Sequence, residues 1–179
     1  MQDRSKLDEQ VSVAPYDPSW VVLFEQEAKQ LSSLLGTRQI QHIGSTAVPG
    51  MAAKPIVDIL IGLQKQELVD EMALAIITLG FEDMGEAGIV GRRHLRKRSP
   101  FAVNIHLVLM NSNLWRNNLI LRDYLRTHPD EAQRYGEHKY KIISGGTNTL
   151  LAYSEQKTSF IQDLIQRAQI WERDQRMLS

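Results

Sequence analysis

Opposite charges and a hydroxyl-bearing turn share the twenty positions from His42 to Ile61. A glycine following a strand lets backbone amides come close to an anion, and Ser45 and Thr46 add hydroxyl donors, so Gly44-Ser45-Thr46 reads as a phosphate cradle. Lys54 places a cation on the connecting loop, and Asp58 offers a hard oxygen ligand for magnesium on the neighbouring strand. Together these residues sketch a nucleotide-phosphate site. The segment Ile56 to Ile61 is apolar apart from Asp58, the pattern of a strand covered on both faces with one acid set into it. Burying a lone carboxylate costs several kcal/mol, so Asp58 requires a cation, a metal or a hydrogen-bond donor beside it. Gly-Ser turns also serve as plain strand connections, and the company of Lys54 and Asp58 gives this one its weight.

Further candidates follow along the chain. The stretch from Phe101 to Val108 alternates as a strand does, with Phe101, Val103, Ile105 and Leu107 on one face and Asn104 and His106 on the other. His106 can serve as a base or ligand beside Asp58, or sit hydrogen-bonded in a polar cleft. Arg92, His94 and Arg96 alternate too, so on a strand they share a face able to line an anionic site; a solvated hairpin arm gives the same pattern. Arg92 and His94, which precede the arm's tip, belong to the cleft in this reading. Arg122, Lys139 and Lys157 fall on helices from which a cation can reach a triphosphate, or pair with surface acids.

Periodicity supplies the elements that must position these groups. A polar, flexible stretch is expected over residues 1–10, then a short extended entry through Val11 and Val13. Asp17 caps a helix with Trp20, Phe24, Ala28, Leu31 and Leu35 on one stripe before Gly36. Strands are expected over 38–43 and 56–62, a helix over 66–80, and a hairpin with arms over 89–98 and 101–108. From about residue 111 the pattern is helical: one helix to Thr127, a break at His128-Pro129, a second to Ile143, and, beyond Gly145-Gly146, a third from near Ser154 that frays from Glu172.

A chain of 179 residues, 42% hydrophobic and 23% charged, is expected to build a conventional core in one domain over 11–179. The 21 basic and 21 acidic side chains balance, which argues against a dedicated nucleic-acid surface. The absence of cysteine removes disulfides, zinc-thiolate sites and thiol nucleophiles. No apolar run approaches about 18 residues, and the start of the chain lacks the apolar core of a signal peptide, so no membrane partner and a cytoplasmic location are expected.

The run from His42 to Leu60 closely resembles the signature of the GrpB family of bacterial proteins. The likeness extends to Tyr16-Asp17-Pro18-Ser19-Trp20 with Phe24, to the run from Leu121 to Pro129, to Tyr135 with Lys139, and to Tyr153-Ser154-Glu155-Gln156-Lys157 with Phe160-Ile161. It implies an α+β, nucleotidyltransferase-like fold: a small mixed β-sheet flanked by helices, with a helical C-terminal part over about 111–179, in which Gly44 and Ser45 hold nucleotide phosphates. Through family members fused to dephospho-coenzyme A kinase it also implies a link to coenzyme A synthesis. Active nucleotidyltransferases set two carboxylates two residues apart on one strand, usually with a third acid on an adjoining strand, to hold metal ions. Here the partner position of Asp58 is Leu60, and the adjoining strand offers Asn104 and His106. The expectation is a divergent nucleotidyltransferase-like protein that binds a nucleotide or phosphorylated cofactor with magnesium on Asp58 and, with His106 assisting, transfers a nucleotidyl group to a small molecule. The alternative is a non-catalytic binder of a nucleotide or coenzyme A precursor that acts through a partner.

Overall fold

The computed structural model describes residues 8–178. Its strands are β1 (Ile40–Ile43), β2 (Val57–Leu63), β3 (Glu82–Asp83), β4 (Arg92–Lys97) and β5 (Val103–Leu109). They form one mixed sheet in the order β1-β2-β5-β4-β3. The central pair, β2 and β5, is parallel, and every other pairing is antiparallel. Parallel neighbours need a crossover, which runs through helix α2 (Leu68–Ile77) and the β3-β4 arm. This is the α+β, small mixed-sheet arrangement expected from the sequence.

Alternation along the strands gives the sheet two different faces. On one, Val57, Ile59, Ile61, Val103, Ile105 and Leu107 are buried in a core closed by α2 and by α1 (Ser19–Leu35), whose Trp20 and Leu31 join it. The other face is divided. At one end Ile43, Leu60 and Val108 lie under Leu114, Trp115 and Leu119 of α3 (Asn113–Thr127). Gly62 belongs to this covered end, where a Cβ would stand 2.6 Å from Met110 and 2.8 Å from Trp115. The other end carries Asp58, Asn104 and His106 beside Arg92, His94 and Arg96 of β4, whose register partners are Val108, His106 and Asn104. Helices α4 (Pro129–Ser144) and α5 (Leu150–Leu178) pack with α3 around Val48, Met51, Tyr124, Tyr135, Leu164 and Ala168, so the loop after β1 is clamped between sheet and helices. Among the described residues no helix is long and apolar enough to cross a membrane.

Several boundaries differ from expectation for reasons visible in the side-chain and backbone contacts. Helix α5 begins at Leu150 rather than near Ser154 and continues through Glu172 to Leu178. Its first turn is capped from the far end of the chain: the Leu150 amide donates to the Glu9 carbonyl at 2.8 Å and the Leu151 amide to Asp8 Oδ1 at 3.2 Å. Its last turns are held by Glu172, which pairs with both Arg116 and Arg176. Of the stretch expected to be flexible, residues 1–7 lie outside the described residues, whereas Gln10 bridges to Thr149 and Glu9 pairs with Arg98 at 2.7 Å. Helix α2 stops at Ile77, because the amides of Thr78, Leu79 and Gly80 turn back only three residues.

Candidate functional site

Gly44 ends β1 at φ 72°, ψ −171°, a combination essentially reserved for glycine. The turn leans on the acid: a Cβ at Gly44 would lie 2.7 Å from Asp58 Oδ2. Ile43 and Asp58 are register partners, so turn and carboxylate occupy the same side of the sheet. The amides of Ala47 and Val48 donate to the Gly44 and Ser45 carbonyls, which leaves the Ser45 and Thr46 amides at the open start of the turn. The Thr46 hydroxyl points away from it. That side chain is 1% exposed, and its Oγ1 pairs at 3.0 Å with Nε2 of His42, a ring stacked on Phe24.

Asp58 Oδ1 accepts a hydrogen bond from Asn104 Nδ2 at 2.8 Å and lies 3.3 Å from His106 Nε2. Arg92 Nη1 reaches His106 Nδ1 at 3.4 Å. Arginine can only donate, so Nδ1 presents its lone pair and the ring N–H faces Asp58. Asn104 is oriented in turn by Arg98, whose Nη1 donates to its Oδ1 at 3.0 Å, and Arg98 is fixed by Glu9. Burial works to raise the Asp58 carboxyl, but His106, Lys54 and Asn104 outweigh it and hold the group well below the usual carboxylate range. The acid therefore has the donors its position demands.

Three lysines close around the turn. Lys54, Lys139 and Lys157 line a cavity of about 220 Å³ together with Gly44, Ser45, Asp58 and Arg122, while Leu121, Leu125 and Ile161 make its far wall apolar. Lys139 is 1% exposed; its Nζ lies 2.6 Å from Ser45 Oγ, 2.7 Å from the Ala52 carbonyl oxygen and 4.1 Å above the Tyr135 ring. Lys157 sits 4.5 Å above the Tyr153 ring and Lys54 5.8 Å from it. Burial, reinforced by Lys54, pushes Lys157 down to about 7 against the opposing pull of Asp58. Burial lowers Lys54 and, more strongly, Lys139 as well. Arg122 is a wall of this cavity held in place by Asp123, Gln41 Oε1 and the His42 carbonyl.

A second cavity, also about 220 Å³, opens on the β4 side and shares Lys54 and Asp58 with the first; Arg92, His94, Arg96 and Arg98 line it. Burial pushes Arg92 down to about 10 with Asp58 opposing, so it stays charged at neutral pH. His94 is a different case. Its ring is 7% exposed and tilted against His106 at 5.1 Å, Nδ1 has no partner among the described residues, and burial, followed by His106 and Arg92, holds it far below the usual histidine range. It contributes a neutral ring to the wall. Ligand pockets usually exceed roughly 300 Å³, so a ligand of ordinary size would span both cavities across Asp58.

The sequence suggests magnesium on Asp58, but the donor set does not fit a resident ion. Asp58 is one carboxylate, its Oδ1 is engaged by Asn104 and His106, and Lys54 and Arg92 stand nearby. Among the described residues no three His, Asp or Glu side chains are grouped to hold a metal. Leu60, where a second acid would sit, is 0% exposed beneath α3. Cations surround this site where a magnesium centre would need oxygen ligands.

The structure thus gathers Gly44, Ser45, Thr46, Lys54, Asp58, Arg122, Lys139 and Lys157 around one cavity and Arg92, His94 and His106 around its neighbour, with the Thr46 hydroxyl turned toward His42. Sequence reasoning missed Arg98 and Glu9 and gave the tyrosines beneath the lysines no part in the site. The tyrosines had a readable signal. Tyr135 precedes Lys139, and Tyr153 precedes Lys157, by one helical turn, a spacing that places ring and amine side by side. Nothing local marks Glu9 as the partner of Arg98.

Comparison with known proteins adds independent information. The family model described as GrpB protein matches residues 10–167. UPF0157 protein YqkA of Bacillus subtilis is 31% identical over 166 residues, covering 91% of this chain; the chain spans about half, 48%, of that protein's length. A UPF0157 protein of Halalkalibacterium halodurans is 31% identical over 168 residues, covering 88% of this chain and 82% of that one. A dephospho-CoA kinase of Mycolicibacterium paratuberculosis is 23% identical over 189 residues, covering 90% of this chain and 46% of its own. The crystal structure of conserved protein GrpB from Enterococcus faecalis superimposes with a TM-score of 0.80 at 34% identity, covering 89% of this chain and 99% of that one.

Proposed function

This chain belongs to the GrpB family, and from that premise we propose that it binds a phosphorylated small molecule, a nucleotide or phosphorylated cofactor, in the paired cavities over Asp58. The observation that carries this reading is the convergence of Lys54, Lys139 and Lys157 on one cavity whose lining holds a single acid, Asp58. Buried like charges depress one another's proton affinity, and an anion placed among them relieves that repulsion. Lys54 and Lys157 supply the charge, the open amides of Ser45 and Thr46 supply directed donors, and Arg92 supplies a second cation across Asp58. The apolar wall of Leu121, Leu125 and Ile161 receives the organic part of the ligand.

The finer reading is transfer of a nucleotidyl group to a small-molecule acceptor. Asp58 would orient His106 through Nε2, and the pair would stand where an acceptor hydroxyl crosses between the cavities. A second reading, binding without turnover, is favoured by Leu60: the position that would complete a metal clamp is packed with hydrocarbon. Any magnesium would then arrive with the ligand, on its own phosphates. The resemblance to a protein named dephospho-CoA kinase makes coenzyme A precursors the first cofactors to try.

Thermal unfolding in the presence of nucleoside triphosphates, dephospho-coenzyme A and phosphopantetheine, each with and without magnesium, tests the reading. A ligand at a hundredfold over its Kd adds about 2.7 kcal/mol, which moves the melting point of a chain this size by roughly 5–10 °C. Lys157→Met should remove most of that shift. No shift with any of these phosphates would overturn the proposal, and release of pyrophosphate from a bound triphosphate separates transfer from binding.

A further inference from the structure

Lys139 is the most unusual group in the cavity. It is a lysine 1% exposed whose amine contacts two oxygens, Ser45 Oγ at 2.6 Å and the Ala52 carbonyl at 2.7 Å, and no carboxylate pairs with it among the described residues. We propose that Ser45 and Lys139 form a nucleophile–base pair, and that this chain transfers acyl groups through Ser45 from an activated ester or thioester carrying an anionic group.

The geometry meets each requirement of that chemistry. A serine becomes a nucleophile when a base sits within hydrogen-bond reach and is itself held by a third group; here the base is the Lys139 amine and the third group is the Ala52 carbonyl. A lysine works as a base only when its neutral form is available, which needs burial away from acids and close to other cations. Facing Lys139 are Lys54 of the loop before β2, Lys157 and Tyr153 of α5, Asp58 of β2, and Tyr135 one turn back on α4. Burial followed by Lys157 and Lys54 lowers the amine, and only Asp58 opposes them. In the neutral state one N–H serves Ala52, another lies over the Tyr135 ring, and the lone pair meets the Ser45 hydroxyl. Ser45 follows the Gly44 bend, so its oxygen enters the cavity while its own amide and that of Thr46 stay available for an oxyanion.

The step balances without a metal or redox partner. Ser45 Oγ forms a bond to the acyl carbon as its proton passes to Lys139 Nζ. The bond from that carbon to the leaving oxygen or sulfur breaks, and the leaving group takes the proton from Lys139. Water or another acceptor then attacks the acyl-serine, Lys139 receives its proton, and Ser45 Oγ departs with that proton. Lys54 and Lys157 would hold the anionic end of the donor, which rests on the anion-binding reading above; the serine–lysine pair does not.

Acylation by p-nitrophenyl acetate separates the two, because that neutral ester needs no anion anchor. The expected result is a burst of p-nitrophenolate and one acetyl group per chain, mapped by mass spectrometry to Ser45 and absent in Ser45→Ala. Lys139→Met and Lys139→Arg should slow the burst by about a hundredfold or more, and Arg retains donors toward Ala52 without a usable lone pair. Melting curves show whether each variant is folded. A wild-type chain that leaves Ser45 unmodified, or is acetylated only on a lysine such as Lys157, overturns the proposal without any variant; so does an unchanged burst in either folded Lys139 variant. A wild-type rate that merely rises with hydroxide, showing no plateau below the ordinary lysine range, overturns it as well.

Discussion

Ile59 and Asp58 are adjacent on β2, yet Ile59 is 0% exposed in a wholly apolar core and Asp58 keeps 27% of its side chain accessible among cations. The same contrast repeats on β5, where Ile105 is buried beneath α1 and α2 while Asn104 and His106 face the cavities. One residue step along a strand exchanges hydrocarbon for a hydrogen-bonded network. The lesson is that the stability-giving face and the chemically armed face are built from the same two central strands, so rigidity on one side fixes distances on the other. Leu60 marks the border: it lies on the armed face but under α3, in dry packing.

Moving that border is the severest test. Leu60→Asp would restore a carboxylate two residues from Asp58, and should cost about 4 kcal/mol or more through lost packing and a buried charge, unfolding much of the protein in denaturant titrations that leave wild type intact. Removing packing from the opposite face is next: Ile59→Ala should cost about 2–5 kcal/mol while the Kd for a phosphorylated ligand, measured on folded protein, stays unchanged. Gly44→Ala brings a methyl group against Asp58 Oδ2 at a backbone angle suited to glycine, and about 1–3 kcal/mol of lost stability should come with weakened ligand binding, since here strain falls on the armed face.

The most gradual effect is a pH slope. Lys157 has a folded value near 7 against 10.5 for the ordinary group. The folded state releases the proton first, so stability is lowest below pH 7 and rises as pH climbs toward 10.5. Lys54 and Lys139 push in the same direction. Urea titrations across that window should show the rise, with a shallower slope in Lys157→Met, and anion binding should weaken over the same range as the lysines discharge.

Local pattern made the sheet and the site's centre legible. The alternation from Val103 to Leu107 separates the core-facing side chains from Asn104 and His106, and the Arg92-His94-Arg96 alternation places those three on one face; Phe101, expected beside Val103, precedes the strand and is 56% exposed. The single acid in an apolar run identified Asp58 as a residue in need of donors, and it has two. What stayed hidden depends on distance along the chain. The contact between Lys139 and Ser45 joins residues far apart in sequence, as does the pair Glu9–Arg98. Helical periodicity shows that Lys139 occupies a turn above Tyr135, and cannot show that the amine is enclosed. His94 lies in the cleft where the alternation puts it, while its burial, which leaves the ring neutral, has no local signal in the sequence.

The caps on α5 have an effect on assembly order. Asp8 and Glu9 hold the first turn of the helix that delivers Tyr153 and Lys157 to the cavity. Early and late parts of the polypeptide therefore meet at one wall, and a chain halted before residue 150 would own the sheet, the Gly44 bend and Asp58 but no enclosed chamber. The chamber proposed to take an anion is therefore closed only when that last helix docks.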